Sequence, residues 1–146
     1  MWKELCDIPS YKTWSKINEI DIGWSSDIKY YIEDCNGAKL LLRISDGSLY
    51  NAKKKEYEII KRFNTLSFPM SQAIKFGRCN NNENVYILLT WVEGTSLDSS
   101  LSLLTEKVQY ELGVQAGIIL KKIHSLSVDN ADIPIKDKKR KENDTA

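Results

Sequence analysis

Histidine, cysteine and proline are scarce in this 146-residue chain, and each shortage removes a class of function. His124 is the only histidine, and Cys6, Cys35 and Cys79 form no C-x-x-C pair, which argues against a zinc site. An odd number of widely spaced cysteines suits a reducing compartment better than a disulfide framework. Three prolines and seven glycines are too few for a linker-type sequence. No run approaches the roughly 18 apolar residues of a membrane span. Lys3, Glu4 and Asp7 interrupt the apolar core that a signal peptide would need. The expectation is a cytoplasmic protein with no membrane partner. Neither sign of charge prevails: 21 basic residues face 20 acidic ones, a net charge of +1, which argues against nucleic acid as the partner. Repeats are not apparent, so a solenoid is excluded.

The apolar share of 42% is ordinary for a globular fold, and the length suits one compact domain or one lobe of a larger protein. Ile17, Ile20 and Ile22 lead into the turn Gly23-Trp24-Ser25-Ser26-Asp27. Ile28 to Glu33 reads as a strand, Asn36-Gly37 as a hairpin turn whose two residues tolerate positive φ, and Leu40 to Ile44 as the buried return strand. A helix is expected from about Ser48 to Asn64. Tyr57, Ile60 and Phe63 form its apolar stripe, with Lys53, Lys54, Lys55 and Lys61 mostly on the solvent side. Ala73 to Phe76 is a short strand and Asn80 to Asn84 a polar turn. Val85 to Val92 is a long, β-branched strand suited to a central place in the sheet. A second amphipathic helix spans about Glu106 to His124, and its wide stripe (Val108, Leu112, Ala116, Ile119, Leu120, Ile123) must pack against something. Lys136 to Lys141 holds five basic residues in six, read as a disordered or solvated end. The order β-β-β-α-β-β-α predicts an α+β fold: a five-stranded antiparallel sheet crossed by one helix, then the first helix of a second layer.

Three features can carry chemistry. Gly23, Ser25 and Ser26 sit in a turn between strands, where backbone N–H groups and hydroxyls can hold phosphate oxygens, although most Gly-Ser turns only turn. Arg43 interrupts an apolar strand. It is either a snorkelling edge residue or a buried charge with a partner, and Glu56 on the following helix is the available carboxylate. Thr90-Trp91-Val92-Glu93-Gly94 ends the long strand in the manner of a hinge, whose backbone can meet a nucleobase edge. His124 ends a helix, where a cation complements the dipole, and reads as structural rather than as a general base.

In order and spacing the Gly-x-Ser-Ser loop, the Leu-Leu-Leu-Arg-Ile-Ser strand, the Glu-led helix, the Val-Glu-Gly hinge and the terminal Ile-His-Ser-Leu resemble the aminoglycoside phosphotransferase family, which shares a kinase-like fold with choline kinases. The resemblance covers Ile17 to Leu126. It implies a protein-kinase-like N-terminal lobe at residues 1–92, a hinge at 93–97, the helical start of a C-terminal lobe at 98–126 and a basic tail at 127–146. By the same resemblance, Gly23, Ser25 and Ser26 belong to a loop closing over ATP or GTP, and Arg43 replaces the phosphate-binding lysine with Glu56 as its partner. The Thr90 carbonyl and Val92 N–H would meet the base edge, and Leu41 and Leu89 would line its pocket. The parent reaction it implies is phosphorylation of a hydroxyl on a small molecule, with an aminoglycoside as first guess, using magnesium and a nucleotide.

The family's His-Gly-Asp segment and magnesium ligands lie in the C-terminal lobe. His124 is followed by Ser125, so no such segment is present. Three readings follow: a truncated or partial phosphotransferase, a nucleotide- or partner-binding module without catalysis, and a structural α+β domain. Exposed apolar surface where a second lobe would dock, with scope for self-association, favours the first. Nucleotide binding without turnover favours the second, and no binding the third.

Overall fold

The structure is a computed structural model that describes residues 2–21, 23 and 25–127. Five strands form one antiparallel sheet: β1 (Trp14–Ile20), β2 (Ile28–Asp34), β3 (Lys39–Asp46), β4 (Ala73–Cys79) and β5 (Asn84–Thr90), in the order β1-β2-β3-β5-β4. Helix α1 (Tyr50–Phe63) joins β3 to β4. A short helix α2 (Leu97–Ser100) and the long α3 (Glu106–His124) follow the sheet. The architecture is the α+β, five-stranded antiparallel sheet with one helix that the pattern of elements predicts, and the kinase-like lobe that the resemblance implies. Of the basic tail at 127–146, all but Ser127 lies outside the described residues, as do Ile22 and Trp24 in the loop before β2.

The β2–β3 hairpin forms, but not with two positive-φ residues. Only Gly37 takes positive φ, at 81°, and the turn is held by Asp34, whose Oδ1 accepts the N–H groups of Asn36 and Ala38 at 2.8 Å each. A side-chain acceptor at the first turn position does the work assigned to Asn36. The Asn-rich β4–β5 turn does use left-handed backbone, at Asn80, Asn81 and Asn82. Asparagine tolerates that region better than most residues. Strand β5 ends at Thr90, so Trp91 and Val92 lie beyond it.

Strand alternation divides the sheet into two faces. Tyr30, Ile32, Leu42, Ile44, Tyr86 and Leu88 point one way and are buried. The segment before β1 covers them: Leu5 and Ile8 are fully enclosed against this face, with Trp2, Tyr11 and Trp14 packed around them. Trp2, Leu5, Ile8 and Tyr11 recur every third residue, which suits the three-residue turns formed at Lys3–Leu5 and Tyr11–Thr13. Asp7 ties the segment down by accepting the N–H groups of Asn80 and Asn81, each at 3.0 Å. The other face carries Lys29, Tyr31, Leu41, Arg43, Ser45, Val85, Ile87 and Leu89, and α1 lies across part of it, with Tyr57 and Tyr50 against Phe76 of β4.

Helix α3 has no buried residue. Of its expected apolar stripe, Val108, Leu112 and Leu120 are exposed, while Ile119 and Ile123 are half-buried, Ile123 beside Ile59 and Phe63 of α1. Lys122 reaches back to the Ser67 carbonyl at 2.6 Å, close to where α3 approaches the end of α1.

Candidate functional site

The charged centre of the second face is built by three elements. Arg43 projects from β3 between Leu42 and Ile44, both buried in the opposite face, so strand alternation alone sends it toward α1. There it is largely enclosed, with only 16% of its side chain exposed. Nη1 donates to Glu56 Oε1 on α1 at 2.6 Å. Nε and Nη2 donate to Asp27 Oδ2, at 2.9 and 2.5 Å. Arg43 is thus a buried charge between two carboxylates, not an edge residue reaching for solvent.

Asp27, the last residue of the Gly-Ser loop, is the most enclosed member of the group, with 2% of its side chain exposed. Besides Arg43 it accepts Ser45 Oγ at 2.7 Å and the Lys53 ammonium, 2.8 Å from Oδ1. Burial alone would raise its pKa. Hydrogen bonds from Lys53, Ser45 and Arg43 outweigh that and hold it at about 2. Arg43 loses hydration in the same place, yet Asp27 and Glu56 hold its pKa above the ordinary value. Lys53 does not face solvent as its helical position suggested. It is 13% exposed and also meets Glu56 Oε2 at 3.1 Å, one turn away on the same face. Two cations and two carboxylates therefore make a neutral quartet that fastens loop, strand and helix together.

The loop itself is shaped by Gly23, whose φ of 119° a side-chain-bearing residue rarely adopts. Ser25 Oγ accepts the Asp27 N–H at 3.2 Å, and the Ser25 carbonyl accepts Lys29 Nζ at 3.2 Å. Ser26 is exposed. A small cavity of about 190 Å³, mostly polar, opens between Gly23, Ser25, Asp27 and Lys29 on one side and Glu19 and Asp21 on the other.

Leu41 and Leu89 stand directly opposite each other on β3 and β5, two residues from Arg43 and on its face. Leu89 is buried and Leu41 half-buried. Tyr31, cross-strand from Leu41, extends this apolar surface and meets Trp91 edge-on at 4.9 Å. Beyond β5, Trp91 N–H donates to the Lys39 carbonyl at 3.0 Å, and Lys39 pairs with Glu93. Thr90 Oγ1 accepts the Gln72 N–H, whereas Val92 is half-exposed just past this last bond. Leu41, Arg43 and Leu89 thus share one face of the sheet, with Glu56 reaching it from α1; Thr90 pairs with Leu40 on the opposite face, Val92 lies beyond β5, and Gly23, Ser25 and Ser26 lie in the loop before β2.

Asp27, Lys53, Lys29 and Tyr31 were not singled out from the sequence. Spacing offered a signal for Lys53, three residues before Glu56 on a helix, but none for Asp27, whose contact with Arg43 depends on the loop folding back onto β3. A larger, mostly apolar cavity of about 370 Å³ lies elsewhere, between Ile59 and Phe63 of α1 and Ile123 and Leu126 after it. His124 lines that cavity and takes no part in the charged quartet. Among the described residues, no three His, Cys, Asp or Glu side chains converge on a metal position.

A sheet crossed by one helix, with a strand cation paired to a helix carboxylate beside a Gly-Ser loop, is the frame of a kinase-like phosphotransferase lobe. The family model of the phosphotransferase enzyme family matches residues 16–144, and the chain belongs to that family. No curated protein matches the sequence. No helix among the described residues is long and apolar enough to cross a membrane.

Proposed function

We propose that this chain is the nucleotide-holding part of a small-molecule kinase: residues 1–92 form the nucleotide lobe, 93–97 the hinge and 98–126 the start of a catalytic lobe. The observation that carries the reading is the Arg43–Glu56 pair, which spans strand and helix at 2.6 Å on the face that also bears the Gly23–Asp27 loop and the Leu41–Leu89 pair. A base lying on Leu41 and Leu89 would meet the backbone at Thr90 and Val92, with its phosphates directed toward Ser25, Ser26 and Arg43.

The residues fit a nucleoside triphosphate in kind: an apolar surface for a ring, then hydroxyls, backbone and cations for phosphate. ATP or GTP with Mg²⁺ would supply the phosphoryl group, and an acceptor hydroxyl on a small molecule, an aminoglycoside as first candidate, would receive it. Positioning and charge neutralisation dominate such transfers, so the His-Gly-Asp segment and metal ligands are indispensable, and these 146 residues do not include that segment. The exposed part of the α3 stripe, at Val108, Leu112 and Leu120, supports a further covering layer: either a catalytic lobe or a second copy of the chain. The second reading is a lobe that binds a nucleotide or a partner without transferring.

Calorimetric titration of the 146-residue chain with ATP and GTP in the presence of Mg²⁺ tests the proposal. Binding of either triphosphate, weakened at least tenfold by Arg43→Gln in a variant that keeps its circular dichroism spectrum, is the expected result. A folded chain that binds neither nucleotide would leave only a structural α+β domain.

A further inference from the structure

The quartet of Arg43, Lys53, Asp27 and Glu56 has no net charge, which leaves open what attracts a polyanion to the loop. Both quartet cations already face both carboxylates. Lys29 differs. It makes no ion pair among the described residues, and its ammonium donates only to the Ser25 carbonyl, at 3.2 Å. That contact uses one of three N–H donors. The same ammonium lies 3.3 Å from where a Cβ on Gly23 would sit, so it rests against the loop and borders the small polar cavity.

Its place in the sheet is equally unusual. Lys29 stands directly across from Arg43 in the β2–β3 ladder, on the same face, in an interior strand rather than at an edge. Like charges directly opposite one another are unfavourable, and nothing in the packing of β2 asks for a cation at this position. Asp27 offsets Arg43, but its oxygens are already filled by Arg43, Ser45 and Lys53. Glu19 and Asp21 border the same cavity, and neither pairs with Lys29.

We propose that Lys29 is the cation that takes the nucleotide's phosphate oxygens at the Gly23–Asp27 loop, while Arg43 chiefly holds loop, strand and helix together through Asp27 and Glu56. The assignment rests on the nucleotide-lobe reading and redistributes its roles. Lys29 would provide two N–H donors and, bordering the cavity, a cation that no ion pair among the described residues holds, and the Ser25 carbonyl would aim the ammonium at the cavity.

The test compares ATP and adenosine, each titrated into the wild-type chain and the Lys29→Gln and Lys29→Arg variants. Glutamine keeps an N–H donor for the Ser25 carbonyl and loses the charge, so it separates phosphate binding from a loop tether. Lys29→Gln should weaken ATP about tenfold, the scale of one charge-assisted hydrogen bond, with adenosine affinity unchanged. Lys29→Arg should restore most of the loss, and the melting temperatures of all three should agree within a few degrees. If Lys29→Gln binds ATP as the wild type does, the assignment is wrong while the nucleotide-lobe reading stands. If the wild type binds no nucleotide, both are wrong together.

Discussion

Asp27 Oδ2 receives both Nε and Nη2 of Arg43, so the loop before β2 is fastened edge-on to a guanidinium in the next strand. A second carboxylate, Glu56, takes Nη1 from the helix side. Only a planar fork can serve both acceptors from one position. Arg43→Lys keeps the charge but offers one compact ammonium. It should lower unfolding stability by about 1–2 kcal/mol, the cost of losing part of a buried charged network. Arg43→Ala should cost about 3 kcal/mol or more, because Asp27 is left enclosed with one partner fewer. Urea unfolding of the two variants against wild type measures the order. Equal stability for Arg43→Lys and wild type would show that the fork geometry is immaterial.

The same network sets a pH dependence. Asp27 has an ordinary value of 3.8 and is held at about 2 in the folded chain. A depressed carboxylate contributes stability above its unfolded pKa and loses it as pH falls through the folded one. The contribution, about 2 kcal/mol from the size of the shift, should be complete above about pH 4 and vanish toward pH 2. Asp27→Asn removes the titration. Measured by urea unfolding from pH 6 to pH 2.5, the stability gap between wild type and this variant should narrow over the acid end only. A gap that stays constant would mean that other carboxylates carry the acid response.

Legibility in the sequence followed the range of each interaction. The apolar run Leu40 to Ile44 was legible as a strand because that signal is local, but it left Arg43 open between edge and buried positions until the strand's place in the sheet set its face opposite Leu42. Glu56 was readable as the carboxylate nearest the helix stripe. Asp27 was not, since its role depends on a loop folding back onto β3, a contact 16 residues away in sequence. Lys53 sits in a run of three lysines that looks solvated, and only the approach of the loop draws it inward. The hairpin was expected for the right segment and the wrong reason. Asp34, not a positive φ at Asn36, secures the turn. In the segment from Trp2 to Thr13 only the charges at Lys3, Glu4 and Asp7 were legible, because its packing depends on contacts with strands far along the chain.

That packing has a measurable consequence. Leu5 has no exposed surface and fills the face formed by Tyr30, Ile32, Leu42 and Tyr86. Leu5→Ala should destabilise the chain by about 2–5 kcal/mol, the range for emptying a well-packed leucine site. Lys3→Ala, on the exposed side of the same turn, should stay within about 0.5 kcal/mol of wild type. Differential scanning calorimetry decides between them. A Leu5→Ala melt indistinguishable from wild type would mean that the segment is dispensable to the sheet.

The thiols report on the same face. Cys79 is fully enclosed, and burial, with the negative charge of Asp7 and Glu4 nearby, pushes its pKa up to about 12. Cys6 and Cys35 are exposed. Since the thiolate is the reactive form, a disulfide reagent at pH 8 should label Cys6 and Cys35 quickly and Cys79 only as the chain unfolds. Mass spectrometry of the labelled cysteines reads this directly. Rapid labelling of Cys79 in native buffer would indicate that the covering segment opens.

Helix α3 tests whether its apolar stripe is a core surface or an interface. Leu112 and Leu120 lie two turns apart on one side and are 38% and 52% exposed, whereas Leu42 has no exposed surface. In the isolated chain the double variant Leu112→Glu, Leu120→Glu should therefore change stability by no more than about 1 kcal/mol, while Leu42→Ala should cost about 2–5 kcal/mol. Solution behaviour should respond in the opposite sense. Exposed apolar positions on one helix side favour association, so sedimentation of the wild type at rising concentration should show self-association that the double variant abolishes. Charge at these positions would equally block a covering lobe added in trans. If the double variant instead unfolds the chain, α3 is packed against the lobe itself, and the stripe is part of its core rather than a surface awaiting a partner.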